Sequence, residues 1–272
     1  MEVDMLKRFT RMIRQFGLYM SANLRNAMQL KAAFWLDVVG MMINNSAFVI
    51  IWIFFFMKMG TVNGWGTIEA IGLNGMVGLM YGITHAFAGG AKTLPQQINT
   101  GNFDNYILSP VNLYLRIITS YSQASAFGDI LYGSILVIVF VVLAQLPFLN
   151  ILLLLLLIPV CALLMINFLL VSGLIAFLIP DTAEVATNLF ELMVNPSLYP
   201  SGLYSSGMKF FFLFVIPAIA IAGAPIELIR SPNVGMFLSL VGLSSAWMVL
   251  TLFLLKQAVR KYESGNLIGF KG

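Results

Sequence analysis

Between residues 5 and 33, apolar Leu6, Phe9, Ile13, Phe16, Met20, Leu24 and Ala27 return every three or four positions, while Lys7, Arg8, Arg11 and Arg14 fall on other faces. This period predicts an amphipathic helix, either lying in a membrane interface or packed on the rest of the protein. Beyond residue 33 the alternation gives way to long apolar runs. Residues 34–57, 68–90, 111–143, 151–179 and 235–255 each approach or exceed the ~20 helical residues that a ~30 Å hydrocarbon core requires. The run at 111–143 is long enough to imply tilt or an interfacial first turn. A further span is expected at 183–199. Pro196, Pro200, Pro217, Pro225 and Pro232 then follow, half of the chain's ten prolines, and no continuous helix passes through them all. A pair of short re-entrant or interfacial helices is expected within 208–229.

The pattern predicts an all-α integral membrane protein of six transmembrane helices, with an N-terminal interfacial helix over 1–33 and a permease-like body over 34–272. A broken, re-entrant region at 196–232 precedes the last span, and Pro180 closes the fourth. Composition agrees: 60% of residues are apolar, 10% are charged, and the mean hydropathy is +0.91. Such a chain has too much apolar surface for a water-soluble fold. No cleavable signal peptide is expected, because some thirty amphipathic residues precede the first apolar run.

Of fifteen lysines and arginines, only Lys58, Lys209 and Arg230 fall in segments on one side of this topology. The remaining twelve lie on the other, including Lys92, Arg116, Lys261 and Lys271. The excess of positive charge faces the cytoplasm, so both termini and the polar segment 91–110 are expected inside a plasma (cell inner) membrane. The net charge of +4 is thereby explained without nucleic acid, for which no basic patch interleaved with aromatics is present.

Several polar residues stand inside the apolar runs and are candidates for a translocation path: Asn44, Asn45, His85, Ser122, Ser125, Asp129 and Glu191. Ser122, Ser125, Asp129 and Tyr132 would share one face of a helix. Asp129, thirteen residues past Arg116, would lie roughly 20 Å along a continuous helix. An ionisable group at such depth needs a partner, a cavity or the bundle interior. Gly72, Gly75, Gly78, Gly82, Ala86 and Gly89 form a stripe along the second span that permits another helix to approach closely. Catalytic and metal sites are not expected. There is no phosphate-binding glycine loop ending in Lys-Ser or Lys-Thr, and one histidine and one cysteine cannot assemble most hydrolytic, redox or metal centres. Cys161 reads as a small buried hydrophobe.

Residues 97–111 contain a glycine, a spacer, a large apolar residue, an aspartate, further apolar positions and a Pro-Val pair: Gly101, Phe103, Asp104, Ile107, Leu108, Pro110 and Val111. This order resembles the cytoplasmic signature of type-2 exporter permeases of the ATP-binding-cassette family, with Ser109 where a basic residue is common. Pro200, Pro217 and Pro225 resemble that family's external re-entrant element. The resemblance implies a permease subunit exporting an amphipathic or apolar molecule, such as a drug, lipid or natural product. It also implies a second permease, identical or related, and cytoplasmic ATPase subunits that carry ATP and magnesium and dock on Gln97, Asn99, Gly101, Asn102, Phe103 and Asp104. Phe103 would be the aromatic anchor buried in the partner. The competing reading from the residues is an ion-coupled secondary transporter or channel, with Asp129 and Glu191 as ion ligands.

Overall fold

The computed structural model describes residues 2–179 and 181–262, and of residues 2–9 and 11 it describes the backbone alone. Pro180 and the tail at 263–272, with Lys271, lie outside the described residues, as do the side chains of Lys7, Arg8 and Arg11. The described chain is helical, with one isolated bridge, Val62 to Trp65, closing a tight turn.

Helix α1, Glu2–Ala27, is amphipathic as its period predicts, and it packs on protein. Asn23 Nδ2 donates to the Thr119 carbonyl at 2.9 Å, the Arg116 guanidinium sits 5.2 Å over the Tyr19 ring, and Phe16 meets Phe87. Ile13 and Leu18 stay exposed, leaving an apolar edge suited to an interface. After a short turn, α2, Lys31–Met59, buries only Phe34, Val38, Val49 and Phe56. A helix so apolar and so little covered by its own protein is one whose surroundings are lipid or another subunit.

Helix α3, Thr67–Ala88, is the opposite case. Sixteen of its 22 residues are buried, so it can carry glycines and polar groups that lipid would reject. After Gly89, whose backbone keeps right-handed helical angles (φ −58°, ψ −22°), the chain continues as α4, Gly90–Asn99. Two short helices follow, α5, Asp104–Ile107, and α6, Leu113–Ile118. The expected third span then needs correcting, because α7 runs only from Ala126 to Leu143. Between α6 and α7 the backbone turns: the Gln123 N–H bonds the His85 carbonyl, and Gln123 Nε2 donates to Ser125 Oγ. A tertiary backbone bond and a local side-chain bond, both outside the helical ladder, hold the break.

Helix α7 packs antiparallel along the glycine stripe of α3. A Cβ on Gly72 would meet Phe140, one on Gly75 would meet Val137, and one on Gly82 would stand 2.6 Å from the Ile130 nitrogen. From the other side, a Cβ on Gly133 would come 2.3 Å from the Leu79 nitrogen. The two backbones therefore touch at a distance that only hydrogen side chains permit.

Helix α8, Phe148–Gly173, extends as a 3-10 turn through Phe177, and α9, Ala183–Ser197, follows. The proline-rich region then breaks as expected into a 3-10 turn at Ser201–Leu203, α10 (Ser206–Phe210) with a π turn to Val215, α11 (Ala218–Ile221) and α12 (Gly223–Arg230). All of α11 and most of α12 are buried, which meets the rule that irregular backbone in an apolar medium must be enclosed by protein. The last helix, α13, is Val234–Lys261. Four described helices, α2, α7, α8 with its extension, and α13, are long and apolar enough to cross a membrane. α9, at 15 residues, would cover only ~22 Å.

Cross-links define two ends of the molecule. At one, Asn63 bonds the Gly202 carbonyl, Arg230 bonds the Gly64 carbonyl at 2.6 Å and pairs with Glu69 at 3.3 Å, and Asn150 bonds the Ile229 carbonyl. At the other, Phe103 packs on Phe177 and Tyr262, while Asn23 holds Thr119.

Candidate functional site

A cavity of about 210 Å³ lies among α2, α3, α7 and α9. Its lining collects Asn44 and Asn45 from α2, Asn74, Gly78 and Tyr81 from α3, Asp129 and Tyr132 from α7, and Glu191 and Asn195 from α9. Four of the seven expected path residues therefore converge here: Asn44, Asn45, Asp129 and Glu191. Helical spacing explains the convergence. Asn74, Gly78 and Tyr81 are one face of α3, and Glu191 and Asn195 are one turn apart on α9.

Asp129 is only 2% exposed, yet it stands in the first turn of α7. The break before α7 removes the continuous helix from Arg116, so the 20 Å argument for its depth does not hold. Its burial comes from neighbours instead. Asn45 Nδ2 donates to Asp129 Oδ1 at 2.5 Å, and the Tyr132 hydroxyl donates to the Asn45 carbonyl at 3.0 Å. Gly128 lets α2 approach, since a Cβ there would lie 2.4 Å from the Val38 carbonyl oxygen. One oxygen of the carboxylate is thus satisfied, while the buried Oδ2 has no partner among the described residues. Asn74 repeats the pattern: its Nδ2 donates to the Ala70 carbonyl, and its buried Oδ1 has none.

His85 lies one turn beyond Tyr81, 1% exposed, with Nδ1 3.0 Å from the Tyr81 carbonyl. It stacks on the Tyr81 ring at 4.0 Å and meets Phe190 edge-on. Its own hollow is small, about 20 Å³, shared with Lys92 and Glu191. Ser122 and Ser125 stand on the turn before α7 and do not line the larger cavity. The expected common helix face of Ser122, Ser125, Asp129 and Tyr132 is therefore broken.

Residue-level reading of the sequence missed Asn74, Tyr81 and Asn195. Asn74 was recoverable as an amide inside an apolar span. Tyr81 and Asn195 needed the packing of α3 against α9.

The segment between α4 and α6 is a compact unit. Gly101 turns it with φ +74, and the Phe103 N–H bonds the Gln97 carbonyl. Asn102 caps back to Thr100. Phe103 departs from expectation, for it is fully buried in this chain's own core, against Tyr106, Phe177 and Tyr262. It anchors the segment to α8 and α13. The side chains presented outward are instead Asn99, Asn102, Asn105, Ile107 and Leu108, the last 81% exposed.

The model of the ABC-2 family transporter protein matches residues 42–266. The chain belongs to the ABC-2 transporter family. No curated protein and no solved structure matches it. Membership makes the chain a multi-pass membrane permease of ABC transport. Here α3 and α7, joined along the glycine seam, line the polar cavity and are tied at one end to the segment containing α4, α5 and α6.

Proposed function

We propose that this permease is driven by ATP hydrolysis on cytoplasmic partner ATPases, with ATP and magnesium bound there, and exports an amphipathic or apolar molecule. The observation that carries the reading is mechanical. α4 continues α3 through Gly89, and α5 and α6 lead into α7, so a push on this segment moves two helices whose backbones are in contact. Those helices form two walls of the polar cavity. The outward face around Asn99, Asn102, Ile107 and Leu108 is the docking surface for the ATPase, and it covers part of the expected segment from Gln97 to Asp104.

The chain runs between its two cross-linked ends along α2, α3, α7, α8, α9 and α13, which supports six spans with the proline-rich helices as a re-entrant element. The positive-inside rule puts the end with Phe103, Lys92 and Lys261 in the cytoplasm. A second permease completes the transporter against the little-covered face of α2. The test is a pull-down of the tagged chain followed by ATPase and transport assays in nanodiscs. Capture of an ATPase whose hydrolysis the permease stimulates is expected. Transport that follows an ion gradient and ignores ATP would transfer the assignment to a carrier, the reading that two carboxylates beside one cavity favour.

A further inference from the structure

We infer that the cavity between α2, α3, α7 and α9 binds a protonated amine, so that the exported molecule carries a cationic N–H group. The inference rests on the export reading above and names the substrate class for its site.

Two buried acceptors in the lining are without a donor among the described residues. They are Asp129 Oδ2 and Asn74 Oδ1, both belong to residues 2% exposed that line the same space, and neither has a hydrogen-bond partner among the described residues. A buried acceptor without a partner is costly, and a buried carboxylate oxygen more so. Glu191 adds a second carboxylate to the lining. Neither Asp129 nor Glu191 belongs to a salt bridge among the described residues. Lys92 lines the adjoining small hollow with Glu191 and extends its ammonium toward Gln123 Oε1 at 3.4 Å. It leaves Asp129 uncompensated. The ligand that fits must therefore donate more than one hydrogen bond and carry positive charge. An ammonium with N–H groups does both, whereas an alcohol supplies no charge and a carboxylate repels.

The mouth suits an amphipathic amine. Asn44 and Asn195 are exposed on facing helices, so the cavity opens sideways between α2 and α9, toward lipid or a second subunit. Trp52 and Tyr199 close one end of that gap with an edge-to-face contact at 5.7 Å. A molecule arriving from the bilayer would keep its apolar part at this mouth and lead with its amine.

Benzylamine, benzyl alcohol and benzoate share shape and differ in charge. Each is titrated against the full chain in nanodiscs, with binding read by saturation-transfer NMR and thermal shift. The unaltered chain should bind benzylamine at least tenfold more tightly than the alcohol and should not bind benzoate. Asp129→Asn should bring amine affinity down to that of the alcohol. Equal affinity for amine and alcohol in the unaltered chain would overturn the proposal, as would sodium or potassium chloride displacing the amine at equal concentration. Because the measurement needs no ATPase, amine selectivity that persists while ATPase capture fails supports this site and overturns only the energy source.

Discussion

Asn45 and Asp129, 84 residues apart in sequence, share a 2.5 Å hydrogen bond that ties the little-covered α2 to the first turn of α7. Asp129 is almost fully buried, so loss of Asn45, its one side-chain donor among the described residues, leaves a carboxylate with no described partner. Asn45→Ala should cost about 1.5–3 kcal/mol, the range for a hydrogen bond to a charged group. Replacing both residues should cost less than the sum of the two single changes, because the second removes the group the first strands. A double-mutant cycle on detergent melting checks this, and strict additivity would mean the pair is not coupled.

The glycine seam gives a prediction with an internal control. Gly133→Ala places a methyl 2.3 Å from the Leu79 nitrogen, and backbone cannot yield as a side chain tip can. Overpacking of this type costs about 1–3 kcal/mol or more, and it should also uncouple α3 from α7. Gly40→Ala, on α2, meets nothing within 4 Å and should be neutral or stabilising by up to about 1 kcal/mol. Equal melting of both variants would show that α3 and α7 are not held in contact.

Phe103, which the sequence suggests as the partner's anchor, is buried in this chain, and Leu108 is the exposed apolar residue of the segment. Phe103→Ala empties a site that is fully enclosed by Tyr106, Phe177 and Tyr262, so it should destabilise the chain by about 3–5 kcal/mol. Leu108→Asp, at an 81% exposed position, should leave melting unchanged and reduce ATPase capture at least tenfold. Size-exclusion profiles and pull-downs of the two variants separate the outcomes. A folded Phe103→Ala chain that has lost its ATPase would restore Phe103 as the partner's anchor.

What could be read in advance divides by physical cause. The apolar runs announce α2, α8 and α13 because lipid demands long uninterrupted helices, and five prolines announce the broken region because they remove backbone donors. The seam of Gly72, Gly75, Gly78 and Gly82 is legible from spacing alone. The break before α7 is less so. Residues 111–143 are apolar enough to read as one helix, and the competition comes from a tertiary bond, Gln123 to the His85 carbonyl. Asp129 meets a partner and a cavity, as an ionisable group among apolar residues must, but the depth argument from Arg116 fails with the continuous helix. Composition cannot say which way an aromatic in a short turn points, and so Phe103 was expected outward. Tyr81 and Asn195 join the cavity only through the meeting of α3 and α9.

Membrane topology is testable by cysteine labelling at positions the fold leaves open. Gly64 has φ +79, so a cysteine there would strain the turn, whereas neighbouring Thr61 is exposed and accepts one. The only native cysteine, Cys161, is 1% exposed and will not give background labelling. Asn63 to Gly202 and Arg230 to Gly64 join the turn to the proline-rich region, so residues 61 and 209 must report the same side. Gln96, exposed on α4, belongs to the opposite end. With the excess of lysine and arginine inside, Thr61→Cys and Lys209→Cys should react with an impermeant maleimide in intact cells, and Gln96→Cys only after permeabilisation. The reverse pattern would invert the molecule and leave the proposed docking face outside, where no ATP is supplied. Labelling of residues 61 and 209 from opposite sides would break the cross-linked end itself, and with it the re-entrant reading of α10 to α12.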